Sequence, residues 1–187
     1  MKKLLLLILI FVVSSCASPQ PRFYQPVAMK STDVSYADFR GTLLISPVLL
    51  PAEAARPKIT TIGKNDIELK IDEFNRWGAA PEKLIQSVIR QNLGYYLPGA
   101  TVEVQTPIKK NYKYAVTVEI SEMGGKLGKE ALFAASYYIK NSNGKVIKSG
   151  KIRESVAIET GYDAYVLAQS RLIGALSAQI AADISRL

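Results

Sequence analysis

The sequence predicts an α+β domain: a largely antiparallel sheet with two α-helices packed on it, in a single folded unit. Three observations lead there. Several short segments alternate polar and apolar residues with a period of two. Two longer segments, residues 81–97 and 162–187, repeat apolar residues at helical spacing instead. Strand runs precede, separate and follow the first helix without a one-to-one alternation, which favours α+β over a parallel α/β sheet.

From the N-terminus, residues 1–15 read as a signal peptide. Met1-Lys2-Lys3 is a short positive lead, and residues 4–13 are an unbroken apolar run. About ten residues suit the apolar region of an export signal, whereas a membrane-spanning helix needs roughly 20. Val13-Ser14-Ser15-Cys16 follows, an apolar residue and two small ones before a cysteine, the pattern read by lipoprotein signal peptidase. Cleavage there makes Cys16 the lipidation site, its thiol carrying diacylglycerol and its freed amine a further acyl chain. At about 0.8 kcal/mol per buried methylene, several chains hold a membrane far more durably than one myristoyl group. Ala17 follows the cysteine where an aspartate would favour inner-membrane retention. In a Gram-negative cell that places the protein on the inner leaflet of the outer membrane, facing the periplasm.

Residues 16–40 read as a lipid-anchored tether. Ala17-Ser18-Pro19-Gln20-Pro21 and Gln25-Pro26 lack apolar periodicity, and the prolines resist helix. Some twenty residues at about 3.5 Å each would reach roughly 70 Å from the bilayer. Arg22-Phe23-Tyr24 interrupts the tether with aromatics and suits an edge strand docked on the domain.

The folded domain is expected over residues 41–187. Residues 42–50 are apolar but broken by Pro47, which suits an edge or bulged strand. Residues 58–62 form a short strand. Ile67, Leu69 and Ile71 then alternate with Asp66, Glu68, Lys70 and Asp72, a pattern expected to bury one face. Pro81 opens the first helix and Pro98-Gly99 ends it. Leu84, Ile85, Val88, Ile89, Leu93, Tyr96 and Leu97 form its apolar stripe. Further strands are expected from Val102, over residues 114–121, and as a hairpin of residues 132–139 and 145–152. The hairpin turns at Asn141-Ser142-Asn143-Gly144, since Asn-Gly suits tight turns. The last helix carries an apolar stripe from Tyr165 to Leu187 and an alanine line of Ala164, Ala168, Ala175, Ala178 and Ala182. Small side chains let another backbone come close, either this domain's own sheet or a second copy.

Composition narrows the chemistry. The net charge is +8 with basic residues scattered, which gives no nucleic-acid motif. With no histidine and one cysteine, histidine-based triads, histidine metal sites and an intrachain disulfide are all excluded. No catalytic residue, metal site or cofactor is expected. The alternating carboxylates of residues 66–72 read as a solvated strand face. Gly124-Gly125-Lys126-Leu127-Gly128-Lys129 is one residue short of a phosphate loop and has Glu130 where Ser or Thr belongs, so it reads as a hairpin loop. Phe74-Asn75-Arg76-Trp77-Gly78 is more informative, because Arg and Trp together frequently anchor interfaces. Phe74, Arg76, Trp77, Ala168 and Ala175 are the candidate partner contacts, with a core role for Trp77 as the competing reading.

Taken together, these segments resemble the PqiC/YmbA-like family of ABC-type transport auxiliary lipoproteins. The likeness rests on residues 45–51 (Ile-Ser-Pro-Val-Leu-Leu-Pro), Arg56-Pro57-Lys58-Ile59, Glu73-Phe74-Asn75-Arg76-Trp77, Asn92-Leu93, Ala168-Gln169-Ser170 and residues 176–181. The sequence departs from the family pattern at Asn75, Tyr137 and Ile62-Gly63. The resemblance implies a non-catalytic envelope component that accompanies an MCE-domain protein and an ABC permease in moving lipids between membranes. It also implies a possible homo-oligomer, since such partners form rings. Two other classes compete: a stand-alone periplasmic lipid carrier, and an envelope enzyme acting on peptidoglycan.

Overall fold

The computed structural model describes residues 19–30, 33–63, 65–107 and 111–187; the signal segment and Cys16 lie outside the described residues. The period-two segments become strands β1 (Arg22–Tyr24), β2 (Gly41–Ile45), β3 (Lys58–Ile62), β4 (Leu69–Trp77), β5 (Ala100–Val104), β6 (Tyr114–Lys126), β7 (Glu130–Asn141) and β8 (Val146–Ala157). The two helical patterns become α1 (Pro81–Tyr96) and α2 (Tyr162–Ile184). Pro81 sits in the first turn of α1 as expected, where its missing N–H costs nothing.

The class is α+β, but the strands form two mixed sheets instead of one largely antiparallel one. One sheet runs β5-β2-β6-β7-β8 and the other β1-β4-β3. In the larger sheet β2 is parallel to both β5 and β6, while β6, β7 and β8 form an antiparallel meander. The parallel pairs follow from connection length. Strands β3 and β4 of the small sheet and α1 lie between β2 and β5 in sequence, and a parallel return needs such a long crossover. Pro47 was expected to mark an edge strand or a strand with a bulge. β2 is central and stops at Ile45, and pairing with β6 resumes at Leu49, so the proline stays out of the ladder.

The core lies between the larger sheet and the helices. Phe133, Tyr137 and Ile139 of β7 are buried beneath α2, along with Leu172, Ile173, Leu176 and Ile180 of that helix. Polar residues that interrupt the apolar stripes are used inside. Gln169 donates to the carbonyls of Gly124 (2.9 Å) and Leu132 (3.1 Å), tying α2 to the β6–β7 hairpin.

Much of the stretch read as a tether is docked on the domain. β1 adds to β4 as the expected edge strand. Beyond it, the Val27 N–H donates to Ser170 Oγ (3.1 Å), the Met29 N–H to Asn92 Oδ1 (2.8 Å) and the Tyr36 N–H to the Tyr96 carbonyl (2.6 Å). Asn92 is itself held by its amide donating to Ser177 Oγ (3.3 Å). Residues 25–30 and 33–36 therefore form a strap across α1 and α2, the Val27, Met29 and Tyr36 donors satisfied by helix side chains and a helix carbonyl where no ladder is available. Gly174 makes the crossing possible, since a Cβ there would stand 2.6 Å from the Met29 carbonyl oxygen. Gly174→Ala should therefore lift the strap, at about 1–3 kcal/mol, and hydrogen exchange at the Val27 and Met29 amides should accelerate most.

Candidate interaction surface

The small sheet carries an irregularity at its centre. Thr60 pairs with Ile71 and Lys58 with Arg76, so one residue of β3 faces four of β4. Asp72 organises that bulge. Its Oδ1 accepts the N–H groups of Phe74 (2.8 Å) and Asn75 (2.7 Å) and the Asn75 amide (3.0 Å). Its Oδ2 accepts the Tyr162 hydroxyl (2.9 Å) from the first turn of α2. Asn75 Oδ1 accepts the Tyr24 hydroxyl (2.9 Å), which ties β1 into the same network. Outside it, Arg22 pairs with Asp163 (3.2 Å), Lys58 with Glu73 (2.6 Å), and Arg76 Nε donates to the Glu73 carbonyl (2.9 Å).

The charges match this geometry. Burial raises the Asp72 carboxyl, but the hydrogen bonds from Asn75, Phe74 and Tyr162 outweigh it and hold the group below its ordinary 3.8. Burial and the bond to Asp72 push the Tyr162 hydroxyl up to about 12. A carboxylate with a lowered native pKa contributes fully above its unfolded value, and that contribution is lost as the pH falls through the native one. Asp72→Ala should lower stability by about 1–3 kcal/mol. The difference from the parent should stay flat between about pH 5 and 9 and shrink only in acid below 3.8. Urea melts at four or five pH values check both claims.

The sequence-nominated contacts separate clearly. Trp77 is only 6% exposed and belongs to the core, with its N–H donating to the Pro57 carbonyl (2.7 Å). Ala168 is buried as well, so a partner docking on this conformation touches neither. Ala175 and Arg76 are half-buried and Phe74 is 43% exposed. Cys16 lies outside the described residues. The glycine-rich segment 124–129 is a hairpin end, with Gly124 and Gly125 paired to Leu132 and Ala131.

One expectation is overturned. The alternating stretch before the bulge was expected to bury an apolar face, yet Ile67, Leu69 and Ile71 are 87%, 54% and 39% exposed. The helices explain this: α1 packs on α2, β5 and β2, and α2 on β7 and β8, so neither packs extensively over the β3–β4 hairpin. Between that hairpin and β6 lies a cleft of about 130 Å³ lined by Ile62, Leu69, Met123 and Gly124. It is smaller than the roughly 300–1,000 Å³ of ordinary ligand pockets. Among the described residues no helix is long and apolar enough to cross a membrane.

A family model described as "ABC-type transport auxiliary lipoprotein component" matches residues 24–181. A solved structure of a Xanthomonas campestris protein of the DUF330 family shares the fold at a TM-score of 0.68, with 11% identity over 85% of this chain and 92% of that one. A second crystal structure, of an uncharacterized protein, matches at a TM-score of 0.62 and 17% identity, covering 87% of this chain and 98% of the other. A comparison with curated proteins finds no match.

Proposed function

The chain belongs to the family of ABC-type transport auxiliary lipoprotein components, and from that premise we propose that it is the non-catalytic, outer-membrane-anchored adaptor of an MCE/ABC-type lipid transport system. The match over residues 24–181 carries this reading, because it runs from the end of β1 through the strap, the other strands and α1 into the last turn of α2. In this reading Cys16 bears the lipid, and the domain holds the periplasmic end of an MCE-domain protein close to the outer membrane, alone or as a homo-oligomer. Phe74, Arg76 and Ala175 are the nominated contacts left accessible. The stand-alone carrier is the weaker reading, since the cleft described beside β3 is smaller than ordinary ligand pockets.

Ala17→Asp tests the proposal. The variant should move from outer-membrane to inner-membrane fractions and fail to restore detergent resistance to cells lacking the protein, although its domain is unchanged. Full restoration from the inner membrane would contradict an adaptor that must sit at the outer one.

A further inference from the structure

The docked strap changes how far the domain can stand from its anchor. Arg22 is fixed to β4 and to Asp163. Only five residues lie between Cys16 and it, so over six chain steps of about 3.5 Å the reach is at most about 21 Å. A domain of this size is about 40 Å across. It cannot turn its far side to the bilayer on so short a lead. The strand register adds direction. β1 is parallel to β4 with Arg22 opposite Asn75, so the chain leading back to Cys16 leaves the sheet past Phe74.

That exit is where the uncovered apolar side chains gather. Phe23 is 64% exposed on β1, and Phe74 projects from the bulge on the neighbouring strand. Ile67, Leu69 and Ile71 continue the patch along β4 and the turn before it. Nearby charges are balanced: Arg22, Lys58, Lys70 and Arg76 stand among Glu68, Asp72, Glu73 and Asp163. Attraction to anionic headgroups is therefore a minor contribution, and apolar contact is the major one.

We propose that Phe23, Phe74 and the Ile67–Leu69–Ile71 edge rest in the interface of the same membrane that holds the acyl chains of Cys16, which fixes the orientation of the domain. The inference rests on acylation of Cys16, shared with the proposed function. Asp163, beside Arg22, and Asp183, beside Lys148, mark opposite ends of α2. At 1.5 Å per residue these ends lie about 30 Å apart. The Asn141–Gly144 turn and Ile147 therefore face away from the bilayer, toward the periplasm.

The test uses full-length acylated protein, its acyl mass confirmed, in phosphatidylethanolamine–phosphatidylglycerol vesicles with and without bromine on the acyl chains. Trp77 is buried and gives a constant background. Phe23→Trp and Phe74→Trp should each lose about half of the added emission in brominated vesicles, as groups seated 5–10 Å into the interface do. Ile147→Trp should lose none, and about 0.5 M salt should change nothing. Equal loss at all three positions, or none at any, overturns the proposal. A blue-shifted but unquenched Phe74→Trp also overturns it, by showing that protein covers the patch. Absence of acyl mass on Cys16 would instead remove the shared premise, a distinguishable failure.

Discussion

Replacing Trp77 with alanine is expected to destabilise the domain by about 3–5 kcal/mol, a large share of the 5–15 kcal/mol typical of a folded domain. The indole sits between the small sheet and α2, where Ala54, Thr60, Met123 and Tyr165 share a void of only about 10 Å³ with it. Strand pairing holds the backbone on both sides, Tyr24 against Trp77 itself and the Pro57 carbonyl against its N–H. Little can collapse into the cavity that alanine would leave. For a chain of this length the loss corresponds to a fall in melting temperature on the order of 10 °C. A Trp77→Ala protein that keeps its stability within about 1 kcal/mol but loses its partner would return the residue to the interface.

The second large effect lies at the opposite end of α2. Gly150 faces Tyr137 across the β7–β8 ladder, and any Cβ there would overlap the tyrosine ring. That ring is fully buried, and its hydroxyl donates to Asp183 Oδ2 at 2.6 Å, so it cannot swing aside. Burial, reinforced by the Asp183 carboxylate, pushes the Tyr137 hydroxyl well above its ordinary 10, so the bond persists across the physiological range. Gly150→Ala should therefore cost about 1–3 kcal/mol through overpacking. Tyr137→Phe should cost a similar amount by removing a donor from a largely buried carboxylate. Gly94→Ala is the internal contrast: nothing stands within 4 Å of its added methyl in α1, and helix propensity predicts a gain of up to about 1 kcal/mol. Urea melts of the three variants measure both signs.

Much of this architecture was legible because period and punctuation are local signals. Residues 58–62 were read as a strand with the bounds that β3 has, and Pro81 and Pro98-Gly99 bracketed α1. Asn141–Gly144 marked the β7–β8 turn, where Asn141 Oδ1 accepts the N–H groups of Asn143 and Lys145. The strap was illegible for the converse reason. Its bonds join Met29 to Asn92 and Val27 to Ser170, across 63 and 143 positions, and leave no periodicity behind. Asn92, Ser170 and Ser177 entered the sequence reading only within family motifs, although they are its partners or support them.

The interaction surface was half legible. Alternation at residues 67–71 identified a strand with an apolar face, but no local pattern says whether the same chain supplies the cover. The spacing of Asp72 and Asn75 carried the bulge, since a carboxylate two and three residues before N–H donors closes such a turn. Side-chain direction at Trp77 was beyond sequence, because one aromatic in an irregular strand carries no phase.

The central claim is that this lipoprotein works by holding a transport partner at the membrane. Mild cross-linking of the acylated protein in intact cells, followed by detergent extraction and mass spectrometry of what co-purifies, tests it most directly. The account predicts recovery of an MCE-domain protein. Recovery of self-linked copies or phospholipid alone would contradict it and favour an independent carrier.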